Sequence, residues 1–119
     1  MPQLVLEHSS NITQKVDSSV LLGKIARIIS AAGEIPVEHF KSRLIRRDEY
    51  LVGEGSEEDA FVHLEAGIFS GRSLDIKRQI GEDCIEYLKD YFSPSSGELS
   101  LQITVEIREM DKEAYFKGR

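Results

Sequence analysis

The sequence predicts an α+β fold: two β-α-β units, joined by a turn, forming a four-stranded mixed sheet with two helices on one face. Three observations carry this. Residues 99–107 alternate, with Leu99, Leu101, Ile103, Val105 and Ile107 on one side and Ser100, Gln102, Thr104 and Glu106 on the other. Two other segments repeat their apolar residues at helical spacing. The halves are of similar length, and Val5-Leu6-Glu7 echoes His63-Leu64-Glu65.

In chain order, residues 3–7 predict the first strand, with Leu4 and Leu6 on one face and Val5 on the other. Residues 8–15 are polar and predict a loop. Asp17, Ser18 or Ser19 can cap a helix whose stripe is Leu21, Leu22, Ile25, Ile28, Ile29 and Ala32. Gly33 is expected to end it, and Pro36 to keep the chain extended. The second strand is expected over about 39–47, with Lys41, Arg43 and Ile45 sharing a face. Residues 53–58, Gly-Glu-Gly-Ser-Glu-Glu, predict the turn between pseudo-repeats of about 2–52 and 59–108 within a single domain, 1–119. The third strand is expected at 60–66. A glycine-rich bend over 67–73 then leads to Ser73, the expected cap of the second helix. Leu74, Ile80, Cys84, Tyr87, Leu88 and Tyr91 form that helix's stripe, and Pro94 blocks its continuation. Strand four follows, then a mixed tail with the pair Tyr115-Phe116. If the strands of each half are parallel, each crossover is right-handed. Strands one and three carry apolar residues on both faces. The bare sheet face is therefore expected to be covered by copies of the chain in a closed oligomer.

At 119 residues, 40% hydrophobic and 30% charged, the composition fits one soluble globular domain with a modest core. No apolar run approaches the ~20 residues of a membrane span, and the N-terminus does not resemble a secretion signal. A lone cysteine, Cys84, fits a reducing cytoplasm. The net charge of −6 argues against nucleic acid and anionic membranes as partners. A small anionic substrate then requires a local basic pocket.

Pro2 is the first candidate for chemistry. A small second residue favours removal of Met1, which leaves a secondary amine at the start of a buried strand. An α-amino group titrates near ~8 in water, and burial disfavours its charged form. A neutral amine at physiological pH is a general base. The alternative is that proline merely starts an edge strand, where its missing N–H costs nothing. Arg72, within Gly71-Arg72-Ser73, offers a planar fork for a carboxylate beside a helix N-terminus; the alternative is a surface arginine next to an ordinary cap. Lys41 and Arg43 share a strand face and are followed by Arg46 and Arg47, so two cations can meet one dianion. Here the alternative is a solvated edge strand whose charges discourage aggregation. His8, His39 and His63 lack metal-ligand spacing, so no metal site is expected. Cys84, on a helical apolar stripe, is expected to be a buried inert thiol. The chain has no phosphate-binding glycine loop, serine elbow or dinucleotide fingerprint.

Met1-Pro2 opening a strand, Lys41-Ser42-Arg43, Ala60-Phe61-Val62-His63 and Gly71-Arg72-Ser73 occur in an order and spacing that resemble the 5-carboxymethyl-2-hydroxymuconate isomerase family of the tautomerase superfamily. The resemblance spans Pro2 to about Lys117. It implies a tautomerase-like duplicated β-α-β fold, a homotrimer, and no metal or organic cofactor. It also implies a cofactor-independent keto–enol isomerase of an unsaturated 2-hydroxy dicarboxylate in aromatic catabolism, in which Pro2, freed of Met1, shuttles a proton between oxygen and carbon. Arg72 matches the family arginine that engages a substrate carboxylate. Lys41 stands where the family carries another substrate-binding arginine, and lysine lacks the bidentate fork. Arg43 matches a second arginine of that stretch. The family tail continues past the Phe-Lys pair, whereas this chain stops at Arg119, a difference expected to bear on subunit contacts or pocket closure. With Met1 in place the Pro2 nitrogen is an amide and cannot act as a base. The competing reading is a non-catalytic oligomeric small-ligand-binding module of the same fold.

Overall fold

The structure, a computed structural model, describes residues 1–118. Its elements are β1 (Gln3–Ser9), α1 (Ser18–Gly33), β2 (Lys41–Arg47), β3 (Asp59–Phe69), α2 (Leu74–Tyr91), the single turn α3 (Ser93–Ser96) and β4 (Ser100–Met110). Short 3-10 turns at Val37–His39 and Lys112–Ala114 precede β2 and follow β4. The sheet order is β2-β1-β3-β4. β1 runs parallel to β2 and β3 parallel to β4, while β1 and β3 are antiparallel. The sheet is mixed and both long helices cover one face, as the sequence predicts. Leu6 pairs with Leu64, flanked by Val5 with Glu65 and Glu7 with His63, so the echoing segments lie symmetrically about one point.

Local chemistry explains each boundary. The Asp17 side chain accepts from Val20 N at 3.2 Å and starts α1. The left-handed residue at its end is Glu34 (φ 54°), not the expected Gly33, which lies inside the last turn. Ser73 caps α2 by accepting from Ile76 N at 3.2 Å. Phe92 ends α2 and also begins α3, and Pro94 occupies the first turn of α3, where no amide hydrogen is needed. Pro94 thus opens a new turn as well as limiting the old one.

Three strand boundaries differ from expectation. β1 continues through His8 and Ser9. β2 starts at Lys41, because residues 37–39 close a 3-10 turn with His39 N donating to Pro36 O. β3 extends to Phe69, through a segment expected to bend. Gly67 is tolerated in that strand because a Cβ there would meet Met110 Sδ at 3.3 Å and Gln3 O at 3.4 Å; glycine permits the close approach of both neighbours.

The core lies between sheet and helices. Leu4, Leu6, Val62 and Leu64 of the sheet meet Leu21, Ile25 and Ile29 of α1 and Ile80, Cys84 and Leu88 of α2, all fully buried. Burial, and secondarily the charge of Asp83, pushes the Cys84 thiol up to about 12, so it is inert as expected. The opposite sheet face corrects the sequence reading. There β1 presents Gln3, Val5 and Glu7, and β3 presents Phe61, His63 and Glu65, so it is mainly polar. Arg47 pairs with Glu7 at 2.7 Å and Arg108 with Glu65 at 3.4 Å across it. Doubly apolar strands therefore do not argue for a covering partner. No helix among the described residues is long and apolar enough to cross a membrane.

The centre of the sheet sets stability. Leu64→Ala should cost roughly 2–5 kcal/mol, the range for a buried leucine that leaves a cavity. Leu51→Ser, at a position 76% exposed, should change stability by no more than about 0.5 kcal/mol. Urea denaturation midpoints at constant slope check both, and similar losses would contradict the core described.

Candidate active site

β1 begins in the interior of the sheet, between β2 and β3, which removes the edge-strand explanation for Pro2. Pro2 is buried. Its carbonyl accepts from Lys41 N at 3.1 Å, and its missing amide hydrogen falls before the ladder starts at Gln3. Because β1 and β3 are antiparallel, the start of β1 meets the end of β3, with Gln3 opposite Gly67. Phe69 and Arg72 are thereby delivered beside Pro2. A cleft of about 190 Å³ forms there, with Ile35, Pro36 and Phe69 as apolar wall and Glu34, His39 and Arg72 as polar groups.

Arg72 is held in place by backbone. Gly71 (φ 120°) adopts a conformation that favours glycine and turns the chain out of β3. Arg72 Nε donates to Gly33 O at the end of α1 at 2.9 Å, and Nη1 lies 3.5 Å from Phe69 O. A Cβ on Gly33 would stand 3.3 Å from Arg72 Nε, so glycine at 33 serves this approach rather than the helix's left-handed exit. Nη2 has no hydrogen-bond partner among the described residues and remains available to an anion.

The terminal amine of Met1 lies at the same cleft. Partial burial first, then the positive charges of Lys41, Arg72, Lys112 and Lys117, hold it below its ordinary value of 8.0. Of the four residues singled out from sequence, Pro2 and Arg72 line the cleft and Lys41 acts on it by charge. Arg43 does not line it. Its Nη2 donates to Gln3 Oε1 at 2.8 Å, while Gln3 Nε2 donates to the Tyr115 hydroxyl at 2.9 Å. Arg46 and Arg47 pair with Asp48 and Glu7. His39, which lines the cleft, was missed as a site residue, because it sits in an unremarkable link after Pro36. His8 is buried against Ser9 O and His63 contacts Thr104 on the polar sheet face, so the three histidines lie apart. A larger groove of about 520 Å³ along α2 and β4 is lined by Ile85 and Val105 with mixed charges, and offers no comparable base with an anion anchor.

The electrostatics give a direct test. In protein retaining Met1, NMR titration of the terminal amine should give a midpoint below 8.0. Lys41→Met should raise it, since removing a cation relieves the protonated form. A midpoint at or above 8.0 would contradict the geometry.

Comparison with known proteins identifies the family. Residues 2–119 match the 5-carboxymethyl-2-hydroxymuconate isomerase family. The chain is 31% identical over 117 residues to 5-carboxymethyl-2-hydroxymuconate Delta-isomerase of Escherichia coli, covering 98% of this chain and 93% of that protein. It superposes with a TM-score of 0.87 and 32% identity on a 5-carboxymethyl-2-hydroxymuconate isomerase from Deinococcus radiodurans R1, covering 98% of this chain and 88% of the other. A fused 4-OT symmetric trimer shares the fold at a TM-score of 0.66 and 14% identity, over 92% of this chain and 86% of its own. The chain belongs to the 5-carboxymethyl-2-hydroxymuconate isomerase family and is an isomerase of the tautomerase superfamily.

Proposed function

We propose that this chain catalyses cofactor-independent keto–enol proton transfer on an unsaturated 2-hydroxy dicarboxylate of aromatic catabolism, with Pro2, freed of Met1, as the acid–base group. The observation that carries this is the meeting of a buried Pro2 with the open edge of Arg72 in one cleft. The Pro2 amine takes the proton of the substrate 2-hydroxyl. The O–H electron pair forms the carbonyl, the conjugated double bonds shift, and the prolinium returns the proton to a chain carbon. Nothing is oxidised or reduced, so the balance needs no hydride carrier, and the proton that leaves oxygen is the one returned to carbon. Arg72 holds one carboxylate and Lys41 attracts another, which fixes the reacting atoms against the amine. Arg43 acts through Gln3 as a positioning residue.

The proposed assembly is a homotrimer. β2 and β4 each pair on one side only, and β4 leaves an 11-residue edge that a second copy can cover. A protein of this fold is a symmetric trimer. Light scattering should give three times the chain mass at micromolar concentration, and a stable monomer would remove this part. A cytoplasmic setting fits the lone buried thiol.

The decisive measurement is the pH–rate curve for enol-to-ketone conversion by Met-free protein beside protein with a blocked N-terminus. The rate should rise with pH through one ionisation below the ~8 of a solvated terminus, because burial and cations both disfavour prolinium. Blocking the amine should abolish that ionisation and most of the rate. Equal curves would exclude Pro2 and leave a binding role as the better reading.

Arg72→Ala should cost roughly 2 kcal/mol in kcat/KM on dianionic enols, the worth of a charged hydrogen bond. The ester of an arylpyruvate enol, which lacks the carboxylate, should lose less. Equal losses would make Arg72 a support for the α1 terminus alone.

A further inference from the structure

A second cavity, of about 450 Å³, opens at the far end of β1 from Pro2. His8 lines it, although its position belongs to the core face of the strand. Leu4, Leu6 and His8 alternate on that face, and His8 is only 5% exposed. Packing alone would be served by a third leucine. The Nδ1 of His8 donates to Ser9 O at 3.0 Å, since a carbonyl can only accept. Its Nε2 is then an acceptor, and it has no hydrogen-bond partner among the described residues. In the parallel ladder His8 is the direct partner of Arg46, as Leu6 is of Leu44. The imidazole and the arginine stem therefore leave the sheet side by side. Arg46 also lines the cavity. Its ion pair with Asp48 is 3.7 Å long between well-exposed side chains, a contact of little worth. Ser10 and Thr13, on the loop after β1, add two hydroxyls. Gln14 is already committed: its Nε2 donates to Tyr91 O at 3.0 Å, and its Oε1 accepts from Ser95. The rest of the wall is apolar, from Ile12, Val16 and Leu44. No carboxylate lines this cavity among the described residues.

We propose that this cavity is a second binding site, separate from the cleft at Pro2, for a small hydroxycarboxylate with an apolar body. Each part of the ligand answers a group on the wall. The guanidinium of Arg46 takes the carboxylate through its planar fork, and the hydroxyls of Ser10 and Thr13 can donate to the same oxygens. The ligand hydroxyl donates to Nε2 of His8, which satisfies an acceptor that would otherwise stay unpaired in a nearly buried ring. The carbon body lies against Ile12, Val16 and Leu44, which a purely inorganic anion would leave unused. A metal ion fits poorly, because Arg46 repels it and no acidic group on the wall offsets that charge.

The test titrates the full chain by NMR, reading the His8 imidazole and the amides of Ser10 and Thr13. The probes are mandelate, phenylacetate, which lacks its hydroxyl, and inorganic phosphate, which lacks the apolar body. Mandelate should saturate these signals, and should bind about fivefold tighter than phenylacetate, as expected for one net hydrogen bond. Phosphate should bind more weakly than mandelate. Arg46→Met, at an exposed side chain, should weaken both organic acids about tenfold, the worth of a charged hydrogen bond. His8→Phe should remove the preference for mandelate while phenylacetate still binds. Lys24→Met, an exposed lysine on α1, controls for net charge and should bind both acids unchanged. Arg72→Ala should leave the titration of these signals unaltered, which separates them from binding at the Pro2 cleft. Equal affinity for mandelate and phenylacetate in the unaltered protein overturns the proposal, and this comparison holds even where His8→Phe does not fold. So does phosphate binding as tight as mandelate, an Arg46→Met variant that binds normally, or shifts confined to the Pro2 cleft. The proton-transfer reading stands or falls separately, because it assigns no role to the residues of this cavity.

Discussion

The antiparallel pairing of β1 with β3 is the constraint on which the site depends. Each half of the chain makes only a parallel pair of strands, and in neither half does a strand start lie beside a strand end with a free arginine after it. Joining the halves through Leu6 and Leu64 puts the first residues of the chain against residues 67–72. The register is held by burial rather than by the turn between the halves. A slip of one residue would carry Leu4 and Leu6 out of the core and place Val5 and Glu7 within it. The apolar core and the site are therefore specified together.

The electrostatics of the cleft run against those of the whole molecule. The chain carries −6 overall, yet the charges acting on the terminal amine are positive. Screening confines exposed charges to roughly 8 Å at physiological salt, so most of the molecule's acids do not reach the amine, although Glu34 also lines the cleft. Under the proposed mechanism this one cluster has two effects. In the empty site it favours the neutral form of the amine, the form that can accept a proton. Once carboxylates arrive, they offset the cations, and the protonated amine needed midway becomes easier to form. Substrate binding and base strength are thus coupled through the same side chains.

Much of this was legible in the sequence. The alternation of residues 99–107 identifies β4, and the stripes of α1 and α2 name core residues that are buried. Pro2 and Arg72 share the cleft, as their motifs suggested. What was not legible is set by neighbours distant in the chain. Gly67 looked like a bend because its actual cause, crowding by Met110 and Gln3, comes from two other strands. Gly33 does end α1, as expected, but the left-handed residue is Glu34 and the glycine also makes room for Arg72. Pro2 could be read as opening an edge strand because strand order is absent from local pattern. Apolar residues on both faces of β1 and β3 suggested a doubly buried sheet, whereas the outward positions are largely occupied by Gln3, Glu7, His63 and Glu65.

The division between arginine and lysine follows from what each position is given to hold. Arg72 is the cation whose direction is set by the fold: Gly33 O fixes Nε, Phe69 O lies near Nη1, and the planar group leaves one edge facing the cleft. A guanidinium held this way orients a carboxylate as well as attracting it. Lys41, Lys112 and Lys117 have no comparable tether among the described residues. An untethered lysine supplies charge without a fixed direction, and holding it in one rotamer costs side-chain freedom. In the proposed mechanism a single oriented anchor beside Pro2 is enough to align the reacting diene, since any other carboxylate need only be retained. Under the proposed mechanism the proton transfer needs geometry chiefly at Arg72 and Pro2, which are the two positions that the central strands and the end of α1 define most closely.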